Sequence, residues 1–236
     1  MKKTIICLIP ARGGSKGIPG KNIIKFCGKP LISWSIKQAA GSQYIKDVFV
    51  TSNDRKILQV SRNSGAKIIK RPARLATDTS VTEDALLHAV DYLEKTMHKK
   101  IDMVVFLQAT SPLRMSKDID NAIGLFLSQG GDSLFSGALL EDFCAWQVRN
   151  GEFCSLTFDY RNRGRRQDKK PYYLENGSIY IFKPDILRKY HNRLGGKIVF
   201  YPMPLWKSFE IDNLQDLELC EYYMKNKLLK KSGRKP

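Results

Sequence analysis

The sequence has few acidic residues for its size and no cysteine pattern that holds zinc or builds a disulfide framework. Its 236 residues include 40 Lys and Arg against 23 Asp and Glu, a formal net charge of +17. The five cysteines form no CxxC pair, which argues against a zinc ribbon and favours a reducing compartment. No apolar run approaches the length of a membrane-spanning helix. We therefore expect a soluble, cytoplasmic protein with no membrane partner.

Histidine is also scarce, and the three histidines occur without a neighbouring carboxylate or cysteine motif, so no hydrolase triad is indicated. The positive charge attracts anions such as nucleic acid or small phosphorylated and carboxylated substrates. It is spread along the chain, apart from a basic run after residue 224. Since no nucleic-acid-binding motif accompanies the charge, it does not by itself select nucleic acid as the partner.

Short apolar runs alternate with helical patterns over the first 130 residues. The runs Thr4–Pro10, Asp47–Thr51 and Asp102–Leu107 are typical of buried strands. Their alternation with helices predicts an α/β fold, a three-layer, doubly wound and mostly parallel sheet. We predict one such domain over 1–138 and 176–228, an insertion over 139–175 that is irregular and suited to a lid or dimer contact, and a basic tail over 229–236.

A glycine-rich loop, Ala11–Asn22, follows the first predicted strand. Loops at the carboxyl end of such a strand are where open α/β sheets bind ligands. Its glycines, which include Gly13 and Gly14, let backbone N–H groups approach phosphate oxygens closely. Arg12, Lys16 and Lys21 add cationic donors for a triphosphate. The loop fits neither a Walker A motif nor the dinucleotide-binding fingerprint.

The amino-acid sequence of this loop resembles the signature of sugar nucleotidyltransferases, and of the CMP-sialic acid synthetases in particular. Further resemblances follow in the family's order and extend over about residues 5 to 220: Lys29-Pro30-Leu31-Ile32, Lys70-Arg71-Pro72, Phe106-Leu107-Gln108-Ala109-Thr110-Ser111-Pro112-Leu113-Arg114, Asn176-Gly177-Ser178-Ile179-Tyr180 and Glu210-Ile211-Asp212. The resemblance implies a Rossmann-like nucleotidyltransferase, of the bacterial nonulosonic acid type, that transfers CMP from CTP to a sialic-acid-like sugar and releases pyrophosphate. It also implies a homodimer with the insertion as its contact.

The resemblance further implies which residues hold the nucleotide. Arg12 and Lys21 would contact the CTP phosphates and act in catalysis together with Asp212, while Asn22 and Arg71 would bind the edge of the cytosine. Thr82 resembles a family hydroxyl near the base, although its place before a helical pattern equally fits an N-cap. The nucleotide-binding set is Arg12, Gly13, Gly14, Ser15, Lys21, Asn22, Arg71 and Thr82.

Two carboxylates suit a divalent cation. Glu210 and Asp212 are separated by one residue in a segment predicted to be extended, so both side chains project to one face. Mg²⁺ prefers such oxygen ligands together with substrate phosphates. The family usually has Asp-x-Asp at this place, so the glutamate at 210 is a departure that makes Asp212 the firmer candidate of the two.

By the same resemblance, Gln108, Arg166, Gln167 and Tyr180 would bind the acidic sugar. A guanidinium suits a carboxylate because its fork matches two oxygens, but the sequence does not tell which arginine of 161–166 points inward. Three alternatives stay open: a synthetase for the eight-carbon sugar Kdo, a nucleotide-binding module without chemistry, and a nucleic-acid-binding protein. Within the sialic-type group, the insertion around 165–175 favours a legionaminic-type sugar.

Overall fold

A central sheet organises the computed structural model, which describes residues 3–141, 143–165, 167 and 170–230. The strands are β1 Ile5–Pro10, β2 Lys25–Phe26, β3 Lys29–Pro30, β4 Asp47–Ser52, β5 Lys67–Lys70, β6 Met103–Leu107, β7 Ser133–Leu140, β8 Trp146–Arg149, β9 Glu152–Ser155, β10 Tyr172–Phe182 and β11 Ile198–Pro202. The α-helices are α1 Leu31–Ala40, α2 Arg55–Asn63, α3 Thr82–Asp91, α4 Ser116–Ser128, α5 Pro184–Tyr190 and α6 Leu214–Tyr223.

Seven strands form the sheet in the order β11-β7-β10-β6-β1-β4-β5. All neighbours pair in parallel except β10, which is antiparallel to both β6 and β7. After β1 the chain moves outward to β4 and β5, and it then returns to the other side of β1 as β6. This reversal opens a crevice at the carboxyl ends of the central strands. The predicted α/β class with a mostly parallel sheet is confirmed.

Alternate residues of each strand pack on opposite faces of the sheet. In β1, Ile5, Cys7 and Ile9 belong to a cluster with α1, α2 and α4, whereas Ile6 and Leu8 pack beneath α3 and α5. Helices therefore cover both faces, and the strand core has to be apolar at every position. This double burial explains the uninterrupted apolar runs that predicted β1, β4 and β6.

A third apolar cluster holds the C-terminal helix against the loop region that follows β1. Phe26, Trp34 and Cys220 pack there together with Ile211, which is fully buried. The segment of Glu210 and Asp212, which was predicted to be extended, belongs to no strand and lies immediately before α6. Ile211 turns into the core, whereas Asp212 lines the crevice and Glu210 lies beside Gly177.

The stretch predicted to be irregular over 139–175 is more regular than expected. β7 continues to Leu140, β10 begins at Tyr172, and β8 and β9 form a separate two-stranded hairpin. The strand signal is weak here because the side chains of β8 and β9 lack a buried face. The boundary between an α/β body and an insertion stays a prediction.

The observed helix starts show that one further prediction, Thr82 as an N-cap, is wrong. Asp54 caps α2 by accepting from the backbone N–H groups of Lys56 and Ile57 at 2.7 and 3.0 Å. Thr82, the alternative N-cap of α3, is instead the first helical residue, and Val81 occupies the cap position.

In the part of the chain that the structure describes, no helix combines the length and apolar character needed to cross a membrane.

Candidate active site

A cavity of about 460 Å³ opens at the carboxyl ends of the central strands. The loops after β1, β5 and β6 and the segment before α6 all contribute to its wall, as the strand order requires. Most predicted nucleotide- and sugar-site residues meet here. Those that line it are Arg12, Ser15, Lys21, Asn22, Arg71, Thr82, Gln108 and Asp212.

The glycine-rich loop packs closely against other segments of the chain at two places. Gly13 donates its N–H to Asn53 Oδ1 at 3.0 Å, and a Cβ there would come within 3.0 Å of the Asp54 side chain. A Cβ on Gly17 would overlap the backbone oxygen of Asp212. Gly14 adopts a φ of 76°, in the left-handed region that glycine tolerates. Gly13 and Gly14 therefore shape the loop rather than line the cavity.

Lys21 and Asn22 begin a short helical turn at the end of this loop. Lys21 Nζ lies 2.8 Å from Asp212 Oδ1, which links the first loop of the chain to the segment before α6. Asn22 is buried, and its amide donates to the Arg12 carbonyl oxygen at 3.0 Å. The amide thereby fixes the backbone from which the Arg12 side chain projects.

Arg71 follows β5 and is only 6% exposed. Its backbone N–H donates to Ser52, but its Nε and Nη2 atoms are buried without a hydrogen-bond partner in the described protein. Burial, reinforced by the charge of Arg12, lowers the pKa of the guanidinium. Buried donors of this kind require an acceptor, so Arg71 is prepared to receive a polar ligand in the cavity.

Gln108 is held in the cavity wall by a buried cation. The guanidinium of Arg114 is 1% exposed and donates to the carbonyl oxygen of Gln108 at 3.0 Å, to that of Ser111, and to the Ser35 hydroxyl. Burial lowers its pKa to about 10. The loop after β6 is therefore fixed from behind, while Gln108 Oε1 itself is buried and has no partner in the described structure.

Gly177 allows Gln108 and Glu210 to meet at one point. It lies in the bulge of β10, with a φ of 61°. A Cβ at this position would overlap both Gln108 Oε1 and Glu210 Oε1. The absence of a side chain therefore lets the two functional oxygens occupy neighbouring space beside the cavity.

The remaining sugar-site candidates lie apart from this cavity wall. Tyr180 is buried, stacks on Phe106 with 5.1 Å between ring centroids, and donates its hydroxyl to Glu175. Arg193 covers its ring at 4.7 Å. Gln167 is exposed and does not line the cavity. Arg166 lies outside the described residues.

Glu210 and Asp212 have the donor chemistry of a Mg²⁺ site. Burial and the nearby charge of Asp212 raise the pKa of Glu210 to about 7, so the pair carries repulsion that a cation would relieve. The described residues contain no group of three or more Asp, Glu, His or Cys that could hold a metal. Two carboxylates nevertheless fit an ion that takes its other ligands from phosphates and water.

Two parts of the site had no recognisable sequence signal. Asp78 contacts Arg12 and Lys16, yet it stands in an ordinary Thr- and Ser-rich turn more than 60 residues away. The role of Gly177 depends on two side chains that come from other loops. Sequence patterns record neither relation, because both arise from the convergence of distant segments.

The fold and the cation-lined cavity together are those of a nucleotide-binding α/β protein. The family model described as cytidylyltransferase matches residues 6–232. The chain belongs to this cytidylyltransferase family.

Three curated relatives extend over most of the chain. N-acylneuraminate cytidylyltransferase A of Danio rerio is 36% identical over 88% of this chain, which spans 48% of that protein. The post-translational flagellin modification protein B of Campylobacter coli is 32% identical, with 95% and 97% of the two chains covered. A pseudaminic acid cytidylyltransferase of Campylobacter jejuni is 30% identical, with 93% and 96% covered.

Solved structures support the fold. A CMP:2-keto-3-deoxy-manno-octonic acid synthetase complexed with CTP superposes with a TM-score of 0.69 at 19% identity, covering 96% of this chain and all of that one. A 4-diphosphocytidyl-2C-methyl-D-erythritol synthase from Anaerococcus prevotii has a TM-score of 0.64 at 10% identity, with 96% and 100% covered. At such identities the likeness concerns the fold alone.

Replacing Gly177 with alanine is expected to displace both Gln108 and Glu210. We expect cytidylyl transfer to fall by roughly 100-fold, the scale of an ångström-sized misplacement in an active site. The measurement is the steady-state rate of pyrophosphate release.

Gly130→Ala is the matched control, because Gly130 has the same φ of 61° but nothing within 4 Å of an added Cβ. It carries the same backbone strain without the overlap and should retain its activity. Full activity in Gly177→Ala would contradict the importance of the shared space.

Proposed function

We propose that this protein transfers CMP from CTP to the anomeric hydroxyl of a sialic-acid-like nonulosonic acid and releases pyrophosphate. The observation that carries the proposal is the buried guanidinium of Arg71, whose Nε and Nη2 have no hydrogen-bond partner in the described part of the chain, in a cavity that also contains Arg12, Lys21 and Gln108. Such a cavity has hydrogen-bond donors for a base and cations for phosphates, next to a polar site for the acceptor sugar. Because the chain belongs to the cytidylyltransferase family, we take the nucleotide to be CTP.

The phosphates would bind to the glycine-rich loop. Arg12 and Lys21 present positive charge on one side of the cavity, where charge accumulates on phosphate oxygens during an in-line displacement. The oxygen of the sugar hydroxyl forms a bond to the α-phosphorus and loses its proton to solvent, while the bond to the bridging oxygen breaks and pyrophosphate leaves with the electron pair. Positioning and cationic stabilisation would therefore supply most of the acceleration.

The cytosine would bind between Asn22, Arg71 and Thr82. Cytosine has an amino donor besides carbonyl and ring-nitrogen acceptors. The free Nε and Nη2 donors of Arg71 suit those acceptors, and the hydroxyl of Thr82 lies in the same cavity wall. A uracil base would present a donor in place of the ring-nitrogen acceptor, which supports a preference for cytosine.

Asp212 and Glu210 would hold Mg²⁺. Mg²⁺ bound there would supply positive charge to the phosphate oxygens of CTP. Asp212 already faces the phosphate-binding loop through Lys21 at 2.8 Å. Binding of phosphates and a cation would separate this ion pair, since Lys21 and Asp212 would each gain a stronger partner.

The acidic sugar would lie beside Gln108, with Tyr180, Gln167 and Arg166 as further candidates. The unpaired Oε1 of Gln108 is suited to a sugar hydroxyl or amide N–H. The two Campylobacter relatives that match over nearly their whole length favour a bacterial sugar. Among these, the legionaminic-type sugar remains our preference from the 165–175 segment, with pseudaminic and N-acetylneuraminic acid as the close alternatives.

The alternatives have less support. A Kdo synthetase shares the fold at 19% identity, but the curated relatives at 30–36% act, by name, on N-acylneuraminate and pseudaminic acid. A nucleic-acid-binding role has only the net charge in its favour. We also propose that the enzyme works in the cytoplasm, where CTP is available.

We propose that the protein is a homodimer that uses the β8–β9 hairpin. A two-stranded hairpin on its own is marginally stable in water. This one exposes Val148 at 56% and Phe153 at 74%. Apolar surface of this extent is typical of a protein contact, and a second copy is the partner that the family resemblance implies.

Pyrophosphate release tests the reaction. CTP and Mg²⁺ are incubated with N-acetylneuraminic, legionaminic or pseudaminic acid or with Kdo. We expect release with one nonulosonic acid and a loss of roughly 100-fold or more in Lys21→Ala and Asp212→Ala, the scale of removing one group that stabilises charge in the transition state.

Lys37→Ala is the control for Lys21→Ala. It removes the same positive charge from an exposed position on α1 and should be as active as the wild type. Failure of all four acids, in folded protein that still binds CTP, would contradict the proposed reaction.

Light scattering after gel filtration tests the assembly. The wild type is expected to elute as a dimer, and the double variant Val148→Lys, Phe153→Lys as a monomer, because two buried charges lack compensation. Tyr222→Lys, at a position on α6 that is 60% exposed, serves as the control and should stay dimeric. A monomeric wild type at micromolar concentration would refute the proposed dimer.

A further inference from the structure

One carboxylate bridges two cations of the glycine-rich loop. Asp78 Oδ1 lies 2.7 Å from Arg12 Nη1, and its Oδ2 lies 2.8 Å from Lys16 Nζ. Each oxygen therefore serves a different cation, the arrangement in which a phosphate group would be held. All three side chains are at least one-third exposed, so an incoming ligand can reach them.

The turn that carries Asp78 is defined by its own hydrogen bonds. Thr77 donates its N–H to Ser80 Oγ at 3.0 Å, and the hydroxyls of the two residues lie 2.7 Å apart. This turn connects β5 and its Arg71 to α3, and Ser80 lines the cavity. Asp78 therefore lies at the rim of the cavity in a compact turn that is held by its own hydrogen bonds.

Arg12 is assigned to the triphosphate in the proposed function, and Lys16 lies in the same glycine-rich loop, so we take both as phosphate ligands. Arg12 and Lys16 line the cavity together with Arg71, and the charge of Arg12 already acts on the buried Arg71. Asp78 offsets this positive charge in the ligand-free protein. When a triphosphate enters, its oxygens and the Asp78 carboxylate require the same N–H donors, and two negative groups cannot share them without repulsion.

We propose that Asp78 is an internal competitor for the phosphate-binding cations, which weakens the binding of CTP and of pyrophosphate. The inference rests on the proposed function, because it takes Arg12 and Lys16 as phosphate ligands. Pyrophosphate is the group left on these cations after transfer. Return of the Asp78 carboxylate to Arg12 and Lys16 replaces the contacts that pyrophosphate gives up and so favours its release.

The direct test is CTP affinity, measured by titration calorimetry with Mg²⁺ and without sugar. Asp78→Asn and Asp78→Ala are expected to bind CTP roughly three- to tenfold more tightly, the scale of two exposed ion pairs. Pyrophosphate should inhibit the variants at correspondingly lower concentrations. Cytidine, which lacks phosphates, should bind all forms equally, and 0.5 M salt should reduce the difference because exposed charges are screened.

Asp185→Asn is the matched control, since it removes the same charge at a side chain that is 95% exposed on α5. Equal or weaker CTP binding by both Asp78 variants, with the wild type binding CTP normally, would overturn the inference and leave the proposed function intact. An equal gain in Asp185→Asn would also overturn it, since net charge would then explain the effect. A wild type that binds no CTP would overturn both.

Discussion

The concentration of positive charge at one edge of the sheet is the constraint on which the site depends. One cavity is lined by four cationic side chains, those of Arg12, Lys16, Lys21 and Arg71. Like charges within one cavity repel unless anions lie between them. Asp78 and Asp212 supply those anions in the ligand-free protein. These two carboxylates balance only part of the positive charge, which suits the polyanionic nucleotide of the proposed function.

The sheet topology makes this concentration possible. The loops that carry Arg12, Arg71 and Gln108 follow three different strands of the parallel sheet, and they meet because the carboxyl ends of parallel strands share one edge. Apolar clusters on both faces fix the strands. The buried guanidinium of Arg114 fixes the loop after β6, which carries Gln108.

Sequence reasoning reached the fold and most of the cavity wall because both have local signals. Apolar runs buried on two faces predicted β1, β4 and β6, and the glycine-rich loop with its cations predicted the site. Relations between distant residues had no such signal. The pairing of Asp78 with Arg12 spans 66 residues, and the overlap avoided at Gly177 involves two other loops. The β8–β9 hairpin was missed because its exposed strands lack a buried face.

The fate of the CTP phosphates tests the central claim most directly. The protein is given CTP labelled with ³²P at the α- or at the γ-position, together with the nonulosonic acid that it accepts. Transfer as described predicts that the α-label appears in a sugar–CMP conjugate and the γ-label in pyrophosphate. Release of the γ-label as orthophosphate, with no labelled conjugate, would identify a nucleotide hydrolase and contradict the account.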